Sequence, residues 1–100
     1  MSFFKIELIS LAETELTEAY IWYNKKKSGL GNRFVKEVSN YFNNISENPY
    51  MFAVKYNNEL RFAPLQVFPY LISYWIDEKQ KTVFVLSIFH TSRNPGKFEE

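Results

Sequence analysis

The residues best suited to chemistry gather near the end of the chain, where His90-Thr91-Ser92-Arg93-Asn94-Pro95 brings an imidazole, hydroxyls and a guanidinium into six positions. Acyl transfer is a poor fit, because no serine lies in a strand-to-helix elbow and no acid stands where it would orient the lone His90. Phosphodiester cleavage is a better one, since it needs only a general base, a general acid and a cation on the phosphate. Arg61 is the other candidate for that cation. It sits inside an apolar run, so it must either reach solvent at a sheet face or pair with a carboxylate. The plainer reading of the terminal cluster is that Asn94-Pro95 makes a turn while His90 hydrogen-bonds a backbone group. Neither is excluded by the residues alone.

Aromatic side chains offer a second kind of site. Tyr70 and Tyr74 have the spacing that puts both on one face of a strand. Trp22-Tyr23 lies in a helical pattern in which Tyr23 reads as core and Trp22 is left open. Gly29-Leu30-Gly31-Asn32-Arg33-Phe34 has two glycines and a base but no strand before it, so it reads as a helix–helix connector rather than a phosphate loop.

The elements that must position these groups follow from periodicity. Phe4, Ile6 and Leu8 alternate with Lys5, Glu7 and Ile9 as in a short strand. Ser10 with Glu13 matches a capping box, and Ala12, Leu16, Ala19, Tyr20 and Tyr23 recur at helical spacing, predicting a helix from about Leu11 to Lys26. Lys25, Lys26 and Lys27 suit its C-terminus, and Gly29 can end it in the left-handed conformation. Phe34, Val38, Tyr41, Phe42 and Ile45 form a second stripe closed by Asn48-Pro49. The two helices should make an antiparallel hairpin that packs on a sheet through Leu16, Tyr20, Tyr23, Phe34, Val38, Phe42 and Ile45.

The sheet comes from the second half: a short strand over Phe52 to Tyr56, a strand from Leu60 to Val67 with Pro64 marking an edge or bulge, and a hairpin of Tyr70 to Ile76 with Thr82 to Phe89. The hairpin strands are apolar on both faces, so they belong in the middle, helices on one side and an aromatic partner surface on the other. The expected fold is α+β, of order β-α-α-β-β-β, with a helical hairpin on one face of an antiparallel sheet and the first strand inserted beside a later one. Residues 1–100 are expected to form one domain.

Composition narrows the function classes. Ten Phe, seven Tyr and two Trp in 100 residues are more aromatic surface than a small core hides, which implies a face covered by a partner. A formal charge of +1 is too weak for long-range attraction of nucleic acid. With no cysteine and a single histidine, neither a thiolate nucleophile nor a metal-ligand cluster is expected, and no cofactor. The N-terminus lacks the pattern of a signal peptide and no apolar run is long enough to span a bilayer, so the expected location is cytoplasmic, with no membrane partner.

Taken in order, Trp22-Tyr23, Gly29-Leu30-Gly31 with Arg33-Phe34, Asn48-Pro49, Arg61, Phe68-Pro69-Tyr70, Tyr74, and His90 with Arg93-Asn94-Pro95 resemble the RelE/ParE toxins of type II toxin–antitoxin systems, particularly the ParE-like branch. The resemblance spans nearly the whole chain and implies a cognate antitoxin, a toxin–antitoxin hetero-oligomer and growth inhibition. Within that superfamily, RelE-like members cut mRNA on the ribosome and ParE-like members poison DNA gyrase. Ribonuclease-type members usually carry a basic residue near the start of the strand that here opens Phe68-Pro69-Tyr70, and Tyr70 replaces it. The resemblance therefore implies a gyrase poison with Trp22, Tyr70 and Tyr74 as partner-binding residues. Its alternatives are a ribosome-dependent endoribonuclease using Arg61, His90 and Arg93, and an interaction module without toxic activity.

Overall fold

In the computed structural model, which describes residues 3–55 and 59–92, the elements run β1 (Lys5–Leu8), α1 (Ser10–Lys26), α2 (Leu30–Glu47), β2 (Val54–Lys55), β3 (Leu60–Pro64), β4 (Tyr70–Asp77) and β5 (Thr82–His90). Among the described residues the strands form one five-stranded sheet of order β1-β5-β4-β3-β2. The long apolar strands β4 and β5 are central, as their lack of a polar face predicts. β1 is inserted at the edge beside β5, but parallel to it, pairing Lys5 with Thr82 and Leu8 with Val85. The sheet is therefore mixed rather than wholly antiparallel. No tight turn joins β1 to β5, so nothing local imposes the antiparallel sense that the β4–β5 hairpin must have.

Both helices cover one face of the sheet. The core holds Ala12, Ala19 and Tyr23 from α1 and Phe34, Val38 and Ile45 from α2, against Ala63, Tyr70, Ile72, Tyr74, Val83, Val85 and Ile88 from the strands. One of the predicted packing positions differs: Tyr20 is exposed, whereas Leu16 and Phe42 pack against the core while staying partly accessible. Tyr20 lies on the flank of α1 where α2 crosses so closely that a Cβ on Gly31 would overlap the Tyr20 carbonyl oxygen. Backbone, not the Tyr20 ring, fills that interface.

The helix ends also depart from the capping-box reading. The N-cap of α1 is Ile9 in extended conformation, and Ser10 is already helical with no side-chain cap. The sheet fixes this start instead: the Ile9 N–H donates to the Val85 carbonyl at 3.1 Å while the Ile9 carbonyl accepts from Glu13 at 3.1 Å. At the other end Gly29 has φ 86°, the left-handed value expected of it, though it serves as the N-cap of α2. Asn24 locks this turn, its Oδ1 accepting the Gly31 N–H at 2.7 Å and its Nδ2 donating to Asn32 at 3.3 Å.

β3 ends at Pro64 rather than Val67. The segment after it is tied to the middle of α2, where the Glu37 carboxylate accepts the N–H groups of Gln66, Val67 and Phe68 at 2.9, 3.0 and 3.3 Å. Only Val54–Lys55 of the expected Phe52–Tyr56 strand forms a ladder, and Tyr56 lies outside the described residues.

The pairing of β4 with β5 contains a bulge. Ser73 is opposite Ser87 and Tyr74 is opposite Val85, so Leu86 is the extra residue on β5. A bulge reverses side-chain parity along the strand that carries it. Val83 and Val85 face the helices before it, Ile88 and His90 after it.

A cleft between the first helix and the ends of the central strands

That reversal places His90 in its surroundings. His90 is paired with Tyr70, and the two rings meet edge to face at 5.2 Å between centroids. α1 lies over the same end of the sheet, because β1 stops at Leu8 and leaves the last part of β5 without a strand neighbour on that side. Glu15 takes the place of a strand there: its Oε1 accepts the Ile88 N–H and the Ser87 hydroxyl, each at 2.8 Å. The result is a cleft of about 290 Å³ whose helix wall is Glu15, Glu18, Ala19 and Trp22 and whose sheet wall includes Tyr70 and His90.

Each side chain in the cleft is held by its element. Tyr70 is almost fully buried against Tyr23 and Phe34, with ring centroids at 6.1 and 4.9 Å. Trp22 packs edge-on to Tyr23 at 5.0 Å, carries the Lys26 ammonium 4.8 Å from its ring centre, and still exposes 44% of its surface. The His90 Nδ1 accepts the Ser92 N–H at 3.1 Å, so in the neutral ring the proton sits on Nε2. The backbone partner expected for His90 is thus present, and the imidazole nevertheless borders a cleft.

The remaining predicted site residues separate into two groups. Tyr70 and Tyr74 do share a face, but it is the helix-covered face rather than the open one, because α1 and α2 cover the side on which Ile72 and Val85 also lie. Tyr74 is wholly buried and donates its hydroxyl to the Pro49 carbonyl at 2.7 Å. Burial pushes its phenol up to about 12, outweighing the Arg61 charge and a backbone hydrogen bond at Phe52 that act the other way. Arg61 is paired with Tyr74, donates to the Phe52 carbonyl at 2.7 Å and lies 5.2 Å from the Tyr50 ring centre. Arg61 stays partly accessible, and among the described residues a carbonyl and a ring hold its charge rather than a carboxylate. Arg61 pairs with Tyr74 in the middle of β4 and His90 with Tyr70 at its start, so the two are offset by about 13 Å along the strand direction at about 3.3 Å per residue. Arg93 lies outside the described residues.

The structure therefore unites Trp22, Tyr70 and His90 in one cleft and places Arg61 and Tyr74 in another cluster, where they clamp the Pro49–Phe52 loop to the sheet. Glu15 and Glu18 were not foreseen as part of the site. Their spacing to Trp22, at steps of three and four, is the signal that puts all three on one stripe of α1. A cleft with two carboxylates on its wall repels a phosphodiester and favours a cation.

The chain matches, over residues 6–95, the family described as the ParE toxin of type II toxin–antitoxin system, parDE. No curated protein sequence matches it. Among solved structures it is similar to the chromosomal ParDE toxin–antitoxin system of P. aeruginosa, with a TM-score of 0.74 at 13% identity, covering 88% of this chain and 96% of that one. The intact E. coli RelBE toxin–antitoxin complex is similar with a TM-score of 0.69 at 17% identity over 90% of this chain and 99% of that one. The RelBE2 toxin–antitoxin complex of Mycobacterium tuberculosis gives 0.65 at 18% identity over 90% and 93%.

Proposed function

The chain belongs to the ParE toxin family of type II toxin–antitoxin systems, and from that membership we propose that a cognate antitoxin neutralises it and that, once released, it acts by gripping DNA gyrase rather than by cutting RNA. The observation that carries the mechanistic half is the chemistry beside His90. Its cleft is walled by Glu15 and Glu18, while Arg61, the described cation proposed for the phosphate, is bound to the Phe52 carbonyl beside the middle of β4, away from the start of that strand where His90 pairs. An imidazole among carboxylates and aromatic rings suits protein contact better than phosphate chemistry.

The antitoxin half rests on α1. Leu11, Tyr20, Ile21 and Trp22 leave 46, 38, 47 and 44% of their surfaces exposed on one short helix. A partner segment laid along this helix covers that apolar surface. The related ParDE and RelBE structures are toxin–antitoxin assemblies, and a hetero-oligomer of that kind is the proposed resting form.

His90→Ala separates the two mechanisms. In a gyrase poison it leaves toxicity largely intact, and induction causes DNA damage while translation on purified ribosomes continues. Removing one electrostatic or proton-transfer group from a ribonuclease lowers its rate about a hundredfold or more. Ribosome-dependent mRNA cuts by the parent chain that vanish with His90→Ala would replace gyrase with the ribosome as the target.

A further inference from the structure

β1 is an edge strand with open backbone groups on its outer side. Its ladder to β5 uses alternate residues: the Lys5 N–H donates to the Lys81 carbonyl and the Ile9 N–H to the Val85 carbonyl. The N–H and carbonyl groups of Ile6 and Leu8 therefore point away from the sheet. Phe4 is the neighbouring outward position, and α2 closes it. The Phe4 N–H donates to the Ser46 carbonyl at 3.0 Å, and the Ser46 hydroxyl donates to the Phe4 carbonyl at 2.6 Å. Among the described residues nothing does the same for Ile6 or Leu8. An open strand edge pairs with another strand unless its side chains forbid it.

The side chains of this edge select one partner. Along Phe3-Phe4-Lys5-Ile6-Glu7-Leu8-Ile9 two opposite charges stand equally spaced about Ile6, with apolar residues beyond both. Edges that repel their own copies carry like charges, whereas this one is self-complementary. Laid antiparallel on a second copy about Ile6, Lys5 stands opposite Glu7 and Phe3 opposite Ile9, and the two-fold axis makes each pair twice. Phe3 and Ile9 leave 58 and 39% of their surfaces exposed. Within one chain the Lys5–Glu7 contact is a loose 3.8 Å between side chains that are mostly in water, so exchanging it for cross-strand pairs sacrifices little. Moving the centre by one residue in either direction sets Glu7 against Glu7 or Lys5 against Lys5, so charge fixes the register.

We propose that β1 pairs antiparallel with β1 of a second copy of this chain, Ile6 against Ile6, joining two five-stranded sheets edge to edge. The two Ile6 residues exchange both N–H···O bonds, and the closure of Phe4 by Ser46 keeps the ladder that short. A contact of this size makes a weak dimer, with a dissociation constant on the order of 0.1 mM. The pairing goes beyond the toxin reading and does not depend on which target the chain attacks.

Sedimentation of the full chain from about 10 μM to about 1 mM brackets that constant, with amide exchange followed by NMR alongside. The parent is expected to pass from monomer to mostly dimer. Exchange at the Ile6 amide slows with concentration, while that at Glu7, which faces β5, does not change. Lys5→Glu alone and Glu7→Lys alone each weaken self-association about tenfold or more, because every cross-strand pair becomes a like-charge pair. The double variant Lys5→Glu/Glu7→Lys restores it, and mixing the two single variants gives a heterodimer. These two rescues also separate a lost contact from a lost fold. A parent that stays monomeric at about 1 mM, or single variants that associate as the parent does, overturns the inference. An Ile6 amide that slows only when the proposed antitoxin is added gives this edge to a strand of that protein, and equally overturns pairing with a second copy.

Discussion

Arg61 and Tyr74 have structural partners that residue type alone does not foretell. A guanidinium and a phenol on adjacent strands read as site residues, yet here each holds a backbone carbonyl of the Pro49–Phe52 loop. The buried phenol gives a measurable consequence. Its folded value of about 12 lies above the ordinary 10, so the native state keeps this proton where the unfolded chain releases it. The contribution is complete below pH 10 and is lost as pH rises towards 12, with a slope of at most about 1.4 kcal/mol per pH unit. Denaturation at stepped pH should therefore show stability falling across that window, and Tyr74→Phe should flatten the fall while lowering stability by about 1 kcal/mol at pH 7 through the lost hydrogen bond. An unchanged alkaline slope in Tyr74→Phe would assign the effect to another group. His90 carries the complementary lesson. It was visible as the one histidine, but its neighbours Glu15 and Glu18 are 75 and 72 positions away in the chain, and only the packing of α1 on β5 brings them together.

Two backbone details control how the elements meet. Gly31 lies where α2 touches the backbone of α1, and an alanine there must push the helices apart or displace Asn24. Gly31→Ala is expected to destabilise by about 1–3 kcal/mol, read from the urea midpoint, although alanine is the better helix former. The bulge at Leu86 is the second detail. Deleting that residue restores strict alternation and leaves Ser87, Ile88 and His90 on the faces they already occupy, because the residue removed is the one without a partner on β4. An NMR spectrum should therefore keep the ring-current contact between His90 and Tyr70 and the Thr82–Val85 pairing with β1, and loss of the ring contact would contradict the position of the bulge. Periodicity revealed both helices, the central hairpin and the sheet-edge character of Pro64. It did not reveal the bulge, because an apolar residue at every position of Val83–Leu86 carries no alternation from which a register could be read. The capping-box pattern at Ser10 failed for a related reason: a hydrogen bond from Ile9 to β5 sets the start of α1, and no local pattern encodes a contact with a strand so distant in sequence.

At the scale of the whole molecule the apolar positions of α2 contribute unequally to the core. Ile45 and Phe34 are fully buried, whereas Phe42 is half-buried on the flank of the same stripe. Ile45→Ala should lower stability by about 2–5 kcal/mol and Phe42→Ala by clearly less, and equal losses in chemical denaturation would contradict the packing described. The order and handling of the layers were legible from the sequence, as was the aromatic excess, but that excess divides differently from the expectation. Tyr23, Phe34, Phe68 and Tyr70 form an interlocked group inside the helix-covered face, with ring separations of 4.9 to 6.1 Å, while Trp22 stays outside. The parallel pairing of β1 with β5 bears on how such a chain is made. Lys5 and Thr82 are far apart in sequence, so β1 emerges from the ribosome long before its partner exists and waits, unpaired with β5, through the synthesis of everything between. The cleft that depends on β5 cannot assemble until that last strand is delivered. A nascent chain interrupted before Thr82 therefore carries the helices without the cleft, and translation itself sets the moment at which the cleft can close around its two walls.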